Sequence, residues 1–426
     1  MAREMKDSGI NWVGKIPSDW SVQRNKICFD CSKDIIGDKS EETQLLSLTT
    51  RGIKEKRPED SAGKVPETYD TYQVVVPDNI VLCLFDLDVS AVFSGISPYY
   101  GMISPAYKVL KCRHEWIIPR YSAYWFSYVF DGRKFKHYSK NLRYTLNYDE
   151  FAVLPIILPS IDEQQRIARF LDTECARIDA VIEQTRASIE EYKKLKQAVI
   201  TQAVTKGIRP NRPMKDSGVE WIGEIPADWK VFRIANLYDE RNECGSDDLP
   251  ILTVSINSGI SDHEVADEDQ IRVFIRSEDK TKYKRVYPGD LAYNMMRAWQ
   301  GAFGAVRVDG MISPAYVVAK AKQGEALDSR YVEALLRTPS AIEEMHRYSH
   351  GITDFRLRLY WPEFKNIRIC VPEIEEQCEI ADYIDRQNQT IDDLIAKKEH
   401  IVSELLNYKQ SLILEYVTGK KEVSVP

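Results

Sequence analysis

The chain has 426 residues, 58 of them basic and 65 acidic, for a net charge of −7. That is roughly three times a usual domain length, so two or more cores are expected rather than one. With 43% hydrophobic and 29% charged residues the chain is no disordered polymer, and no apolar run approaches the roughly 18 residues that a membrane span needs. The opening Met1 to Asp7 lacks an apolar signal core, so a cytoplasmic location with no membrane partner is the expectation. Eight cysteines are too few for a disulfide scaffold. Cys28 and Cys31 form a CxxC pair, but no second pair or nearby histidine completes a zinc ligand set, so they are read as structural.

In chain order, the first signal is a duplication. Residues 5–20, MKDSGINWVGKIPSDW, recur at 214–229 as MKDSGVEWIGEIPADW, an offset of 209. Gly101-Met102-Ile103-Ser104-Pro105-Ala106-Tyr107 returns unchanged at Gly310 to Tyr316, and Arg120-Tyr121 matches Arg330-Tyr331. The segment 158–172, LPSIDEQQRIARFLD, returns as VPEIEEQCEIADYID at 371–385, an offset of 213 that holds to Val204-Thr205 and Val417-Thr418. Between these frames, residues 21–100 and 230–309 share little. At the 209 offset, Asp86-Leu87-Asp88 lies where the second copy reads Asn294 to Arg297. A common frame with unlike interiors suggests one scaffold with two specificities. Drift of loops after duplication is the alternative.

Each copy changes character at its Pro-x-x-x-Glu-Gln segment. Before it, short runs such as Tyr72 to Val76 and Ile251 to Val254, punctuated by Pro and Gly, predict strands of an α+β module. After it, Gly and Pro vanish for about 40 residues, which predicts a helix of roughly 60 Å. Ser160-Ile161-Asp162-Glu163 reads as a capping box at the helix start, whereas the second copy has Glu373, a poorer cap. Residues 178, 182, 185, 189, 192, 196, 199 and 203, and the same set 213 later, form a seam spaced alternately by four and three, broken in both copies by a lysine, Lys196 and Lys409. Two such helices in one chain most simply pair with each other, and a coil that joins two chains is the alternative.

The acid sits mainly in the second helix. Residues 373–421 carry a net charge of −5, residues 161–207 are neutral, and the remainder is nearly so. Against that background Arg133, Lys134, Lys136, Lys140 and Arg143 are interleaved with His137, Tyr138, Asn141 and Tyr144. The second copy has Arg272, Arg276, Lys280, Lys282, Lys284 and Arg285, then His346, Arg347, His350, Arg356 and Arg358. Such clusters suit phosphate neutralisation beside base reading, although a solvated face has the same composition. No glycine-rich nucleotide loop, no Asn/Asp-Pro-Pro-aromatic motif and no metal-ligand spacing is present, so nothing reads as catalytic.

The Trp-Val/Ile-Gly-x-Ile-Pro-x-x-Trp opening, the Gly-x-Ile-Ser-Pro-Ala-Tyr core and the Pro-x-x-x-Glu-Gln helix entry, each present twice, resemble the specificity subunits of type I restriction-modification systems. The resemblance spans the chain, although the first copy lacks the Asn-x-Met-Arg-x-Trp segment found at Asn294 to Trp299. It implies an α+β fold with two globular target recognition domains, residues 1–160 and 208–372. These would be separated by helices at 161–207 and 373–426 that form an antiparallel coiled coil, a pseudo-twofold tandem repeat. It also implies a non-catalytic subunit that reads a bipartite, asymmetric target in double-stranded DNA. Two modification subunits and the restriction subunits would be its partners, with S-adenosylmethionine, ATP and magnesium carried only by them. The expected DNA contacts are Arg51, Lys140, Asn141, Arg143 and Tyr144 in the first domain, and Asn294, Arg297, His350, Thr353, Arg356 and Arg358 in the second. A coiled-coil scaffold without DNA affinity and a self-contained DNA-modifying enzyme are the alternatives.

Overall fold

The structure, a computed structural model, describes residues 3–50, 52–57, 67–88, 93–139, 144–246, 248–256, 258–263, 282–351 and 357–423. It divides into two compact units, Met1–Arg186 with His400–Pro426, and Ala187–Glu399.

Each unit is built on a four-stranded antiparallel sheet with the same strand order. In the first, the neighbours run Phe29–Cys31, Lys108–Cys112, Ile80–Leu82 and Ser94–Ile96; in the second, Tyr238–Arg241, Tyr316–Ala321, Leu291–Asn294 and Phe303–Ala305. Central strands are apolar on both faces because both faces are covered. Leu291, Tyr293, Val317 and Ala319 point into one cluster with Leu335, Met345 and Phe364, while Ala292 and Val318 point into another with Leu252 and Val286. The first unit repeats this with Ile80, Leu82 and Leu110 on one side and Val81 and Val109 on the other.

The register of these strands corrects the alignment of the divergent interiors. Leu110 pairs with Ile80 and Ala319 with Leu291, so this strand is displaced by 211 residues, not 209. Asn294 to Arg297 therefore correspond to Cys83 to Asp86.

Geometry also explains the repeated motifs. A Cβ on Gly101 would lie 2.5 Å from the Gln44 carbonyl oxygen, and one on Gly310 would lie 2.8 Å from Leu252 side-chain atoms. Only glycine admits the backbone that passes there, with Met102 N–H donating to Gln44 and Met311 N–H to Pro250.

The long helices run Ile161–Lys206 and Ile374–Val417. Ser160 Oγ accepts from the Glu163 N–H at 3.3 Å, but Glu163 does not close the capping box. Its carboxylate instead takes Arg3 at 2.6 Å and the buried Trp20 Nε1 at 2.9 Å. The second unit repeats the cluster, with Glu376 taking Arg212 and Trp229 Nε1. Gln164 Nε2 donates to the Trp116 and Pro159 carbonyls while its oxygen accepts from Ile118 N–H; Gln377 does the same with Ala326, Pro372 and Asp328. The Glu-Gln pair thus clamps the opening Trp and the domain's own backbone to the helix start.

The far ends of the helices are gripped too. Tyr121 Oη donates to the Ile157 and Val417 carbonyls, and Tyr331 Oη to Cys370 and Val204. Within each unit the two helical segments run antiparallel. Phe170 stacks on Tyr416 and Asp179 meets Lys409 in the first, while Tyr192 meets Lys398 and Asp392 meets Lys196 in the second. The seam lysines are answered across the coil: Lys409 Nζ lies 2.7 Å from both Asp179 oxygens, and Lys196 Nζ 2.7 Å from both Asp392 oxygens.

Candidate nucleic-acid interface

In the second unit three segments converge. The hairpin Leu291–Asn294/Phe303–Ala305 ends in a tip held by Asn294 N–H to Ala302 O at 3.1 Å and Ala302 N–H to Arg297 O at 3.1 Å. Asn294 Oδ1 accepts from Met296 N–H at 2.9 Å, and Trp299 Nε1 donates to Met296 O at 3.0 Å, so the tip is rigid. The helix Pro339–Arg347 packs against it, with the Trp299 ring edge-on to His346 at 5.6 Å. Just after that helix, His350 and Arg358 exchange both backbone hydrogen bonds at 2.9 and 3.0 Å, and Leu359 N–H donates to Met295 O at 2.8 Å. Tip, helix and loop base form one patch on which Met296, Arg297, His346, His350, Arg358 and Tyr360 are exposed.

The Arg297 guanidinium makes no hydrogen bond or ion pair to a described residue. Burial raises the Tyr316 hydroxyl above its usual range, and the Arg297 charge and a hydrogen bond with Asn294 oppose that rise. A patch with basic, imidazole and aromatic groups but little internal charge pairing can neutralise phosphates and present donors to base edges.

The first unit repeats two of these bonds at the foot of its hairpin and adds a third. Cys83 N–H donates to Phe93 O at 2.7 Å, Leu146 N–H to Leu84 O at 2.8 Å, and Leu87 N–H to Tyr144 O at 3.2 Å. Tyr144 is half-buried with φ of 45°, and the Lys136 ammonium sits 4.2 Å from its ring centroid. Ser139 Oγ donates to Thr145 O at 3.1 Å. Arg133 is spent internally, on Leu87 O at 3.0 Å and on the Phe93 ring.

Of the expected contact residues, Asn294, Arg297, His350 and Arg358 come together in the second unit, and Tyr144 stands at the equivalent tip of the first. Arg51, Lys140, Asn141, Arg143, Thr353 and Arg356 lie outside the described residues. So do Arg272, Arg276 and Lys280. Two neighbours of that basic run are partly structural: Arg285 pairs with Asp309 at 3.5 Å and stacks on Tyr287, and burial lowers the Lys284 ammonium. Sequence reasoning gave no role to Tyr360, and it set Asp86 two residues out of register. The adjacent Leu359 would have flagged the first, and only strand pairing reveals the second.

The CxxC cysteines sit in or beside the core: Cys28 is buried and its thiol is pushed up to about 12 by burial. Among the described residues no group of three or more His, Cys, Asp or Glu side chains is placed to hold a metal ion, and no helix is long and apolar enough to cross a membrane.

No family model matches the chain. It is 22% identical over 444 residues, 96% of each chain, to a Methanocaldococcus jannaschii protein that bears the name of type I restriction enzyme MjaX specificity subunit. It is 25% identical over 293 residues to the type I restriction enzyme MjaVIII specificity subunit of the same organism, covering 64% of this chain and 63% of that one. Among solved structures, a chain described under complex assembly and conformational transition of the type I R-M system matches with a TM-score of 0.67 at 14% identity. That match covers 95% of this chain and 99% of the other and shows a shared fold. The doubled motifs, matched relatives and fold agree: the chain is a homologue of the type I restriction enzyme specificity subunits.

Proposed function

We propose that this chain is the non-catalytic DNA-recognition subunit of a type I restriction-modification complex, with each domain reading one half of a two-part asymmetric target. The observation that carries this reading is the pair of equivalent hairpin tips. The two domains keep the same strand order and two equivalent hydrogen bonds at the base of the tip, yet the groups they display there differ, as two readers of different bases require.

Asn294, Arg297, His350 and Arg358 are the contact residues of the second domain, with Thr353 and Arg356 between the last two in sequence. Tyr144, with Lys140, Asn141 and Arg143 just before it in sequence and Arg51 further upstream, serves the first. Two modification subunits and the restriction subunits are the partners, in the cytoplasm, and S-adenosylmethionine, ATP and magnesium act on those subunits. The negative net charge fits a protein whose partners supply further phosphate contacts.

The test is to assemble the chain with the modification subunits of its own host and sequence the sites at which adenine becomes methylated. A single split motif with an unspecified spacer is the expected result. Titration of matched and random duplexes at two salt concentrations separates the rivals: equal affinity for both overturns sequence reading, and no binding leaves a scaffold. S-adenosylmethionine binding by the isolated chain would instead indicate a self-contained enzyme.

A further inference from the structure

The two hairpin tips carry opposite charge at the same distance from the strand that enters them. Met295 O accepts from Leu359 N–H at 2.8 Å in the second domain, and Leu84 O accepts from Leu146 N–H at 2.8 Å in the first. Two residues past that acceptor stands Arg297 in the second domain and Asp86 in the first. One residue before it, the hairpin closes with the same bond, Asn294 N–H to Ala302 O and Cys83 N–H to Phe93 O. Counted from the strand that enters each tip the two positions match, although nine residues separate Cys83 from Phe93 and seven separate Asn294 from Ala302, and φ is 51° at Asp86 and −136° at Arg297.

Asp86 has φ of 51°, a left-handed conformation that aspartate adopts more readily than most residues and that a local constraint can hold. Here the next residue supplies that constraint, since Leu87 N–H donates to Tyr144 O and Leu87 O accepts from Arg133 at 3.0 Å. Neither the Asp86 carboxylate nor the Arg297 guanidinium makes a hydrogen bond or ion pair to a described residue. A side chain at a hairpin tip that has no partner among the described residues is available to a ligand.

Sign then decides chemistry. Arginine at the tip can bind a phosphate or the O6 and N7 acceptors of guanine. A carboxylate is repelled by phosphates, and in a major groove it gains only from a donor, the exocyclic amino group of cytosine or adenine. We propose that Asp86 and Arg297 are specificity-determining residues of the two domains, each at its own hairpin tip. Asp86 accepts from a base amino group in one half-site, and Arg297 donates to guanine in the other. This rests on the DNA-reading function proposed above.

The test pairs protein variants with base analogues in the assembled complex, once its methylated motif is known. Asp86→Asn keeps a residue tolerant of the left-handed backbone, and Asp86→Ala and Arg297→Gln complete the set. Replacing the recognised adenine by purine, or cytosine by 2-pyrimidinone, removes the amino group. At one position of one half-site this should weaken the unaltered complex by about ten- to a hundredfold, yet leave the Asp86 variants nearly unaffected. In the other half-site, 7-deazaguanine should weaken the unaltered complex and not Arg297→Gln. An analogue penalty that is the same with and without the variant overturns the assignment, as does a uniform loss on matched and mismatched duplexes. If the unaltered complex shows no preference for any duplex, it is the recognition function itself that fails.

Discussion

Glu376 shows how much one side chain is asked to hold. It is 4% exposed at the first turn of a long helix, and its partners Arg212 and Trp229 lie more than 140 residues earlier. Removing one member of a buried ion pair leaves the other charge desolvated and unanswered. Glu376→Ala should therefore destabilise the second unit by about 3 kcal/mol, read as a shift of its urea transition, and Glu376→Gln by less because the Trp229 bond can survive. Equal, negligible shifts for both would show that Trp229 packing alone holds the helix start. Thiol reactivity checks the core independently. Burial pushes Cys28 and Cys370 up to about 12, so at pH 8 both remain protonated thiols, while Cys244 is exposed. Mild alkylation of the native protein followed by mass spectrometry should label Cys244 and spare Cys28 and Cys370 until denaturant is added. These residue roles were only half legible in the sequence. The recurrence of Trp20, Glu163 and Gln164 marked them as a set, but nothing local says that residues 143 positions apart share a hydrogen bond.

The long helices were the most legible elements, because a heptad seam is written locally and repeated. Ile178, Ile182, Ile189, Ile391, Val402 and Leu412 are buried as the spacing demands. What the spacing did not reveal is why a lysine interrupts each seam: its partner is an aspartate on the opposing segment, Asp179 for Lys409 and Asp392 for Lys196. A seam lysine that finds its acid in only one antiparallel register penalises the other registers, which is how polar seam residues specify pairing. The pairs are half-exposed, so their net stabilisation is below about 1 kcal/mol each. Lys409→Glu should cost about 1 kcal/mol through repulsion from Asp179, and adding Asp179→Lys should recover most of it. Chemical denaturation of both single variants and the double variant gives the coupling, and additive effects would remove the proposed register role. The capping box illustrates a sequence rule overridden by tertiary structure, since Glu163 leaves the Ser160 cap half-made to bind Arg3 and Trp20.

At the scale of the whole chain, the repeated frames were readable because identical residues recur, whereas the interiors had to be aligned through strand pairing. Ile80-Val81-Leu82 and Leu291-Ala292-Tyr293 share only a two-residue apolar period, and a displacement of two preserves that period while moving every loop residue. That is why Asp86 and Arg297 could not be matched from sequence. A shared strand order with unlike tips makes the domains interchangeable in architecture and distinct in surface, so recognition should be modular. Replacing residues 21–157 by the corresponding domain of another specificity subunit should alter one half of the methylated motif and leave the other intact. The replacement must carry a tyrosine at the place of Tyr121, whose hydroxyl holds the Val417 carbonyl at 3.3 Å, and backbone groups that Gln164 can clamp. A chimaera with Tyr121 changed to Phe controls for assembly, since it should lose stability without altering which bases are read. Sequencing methylated sites from each complex decides the matter: a change in both halves of the motif would mean that the domains do not read independently.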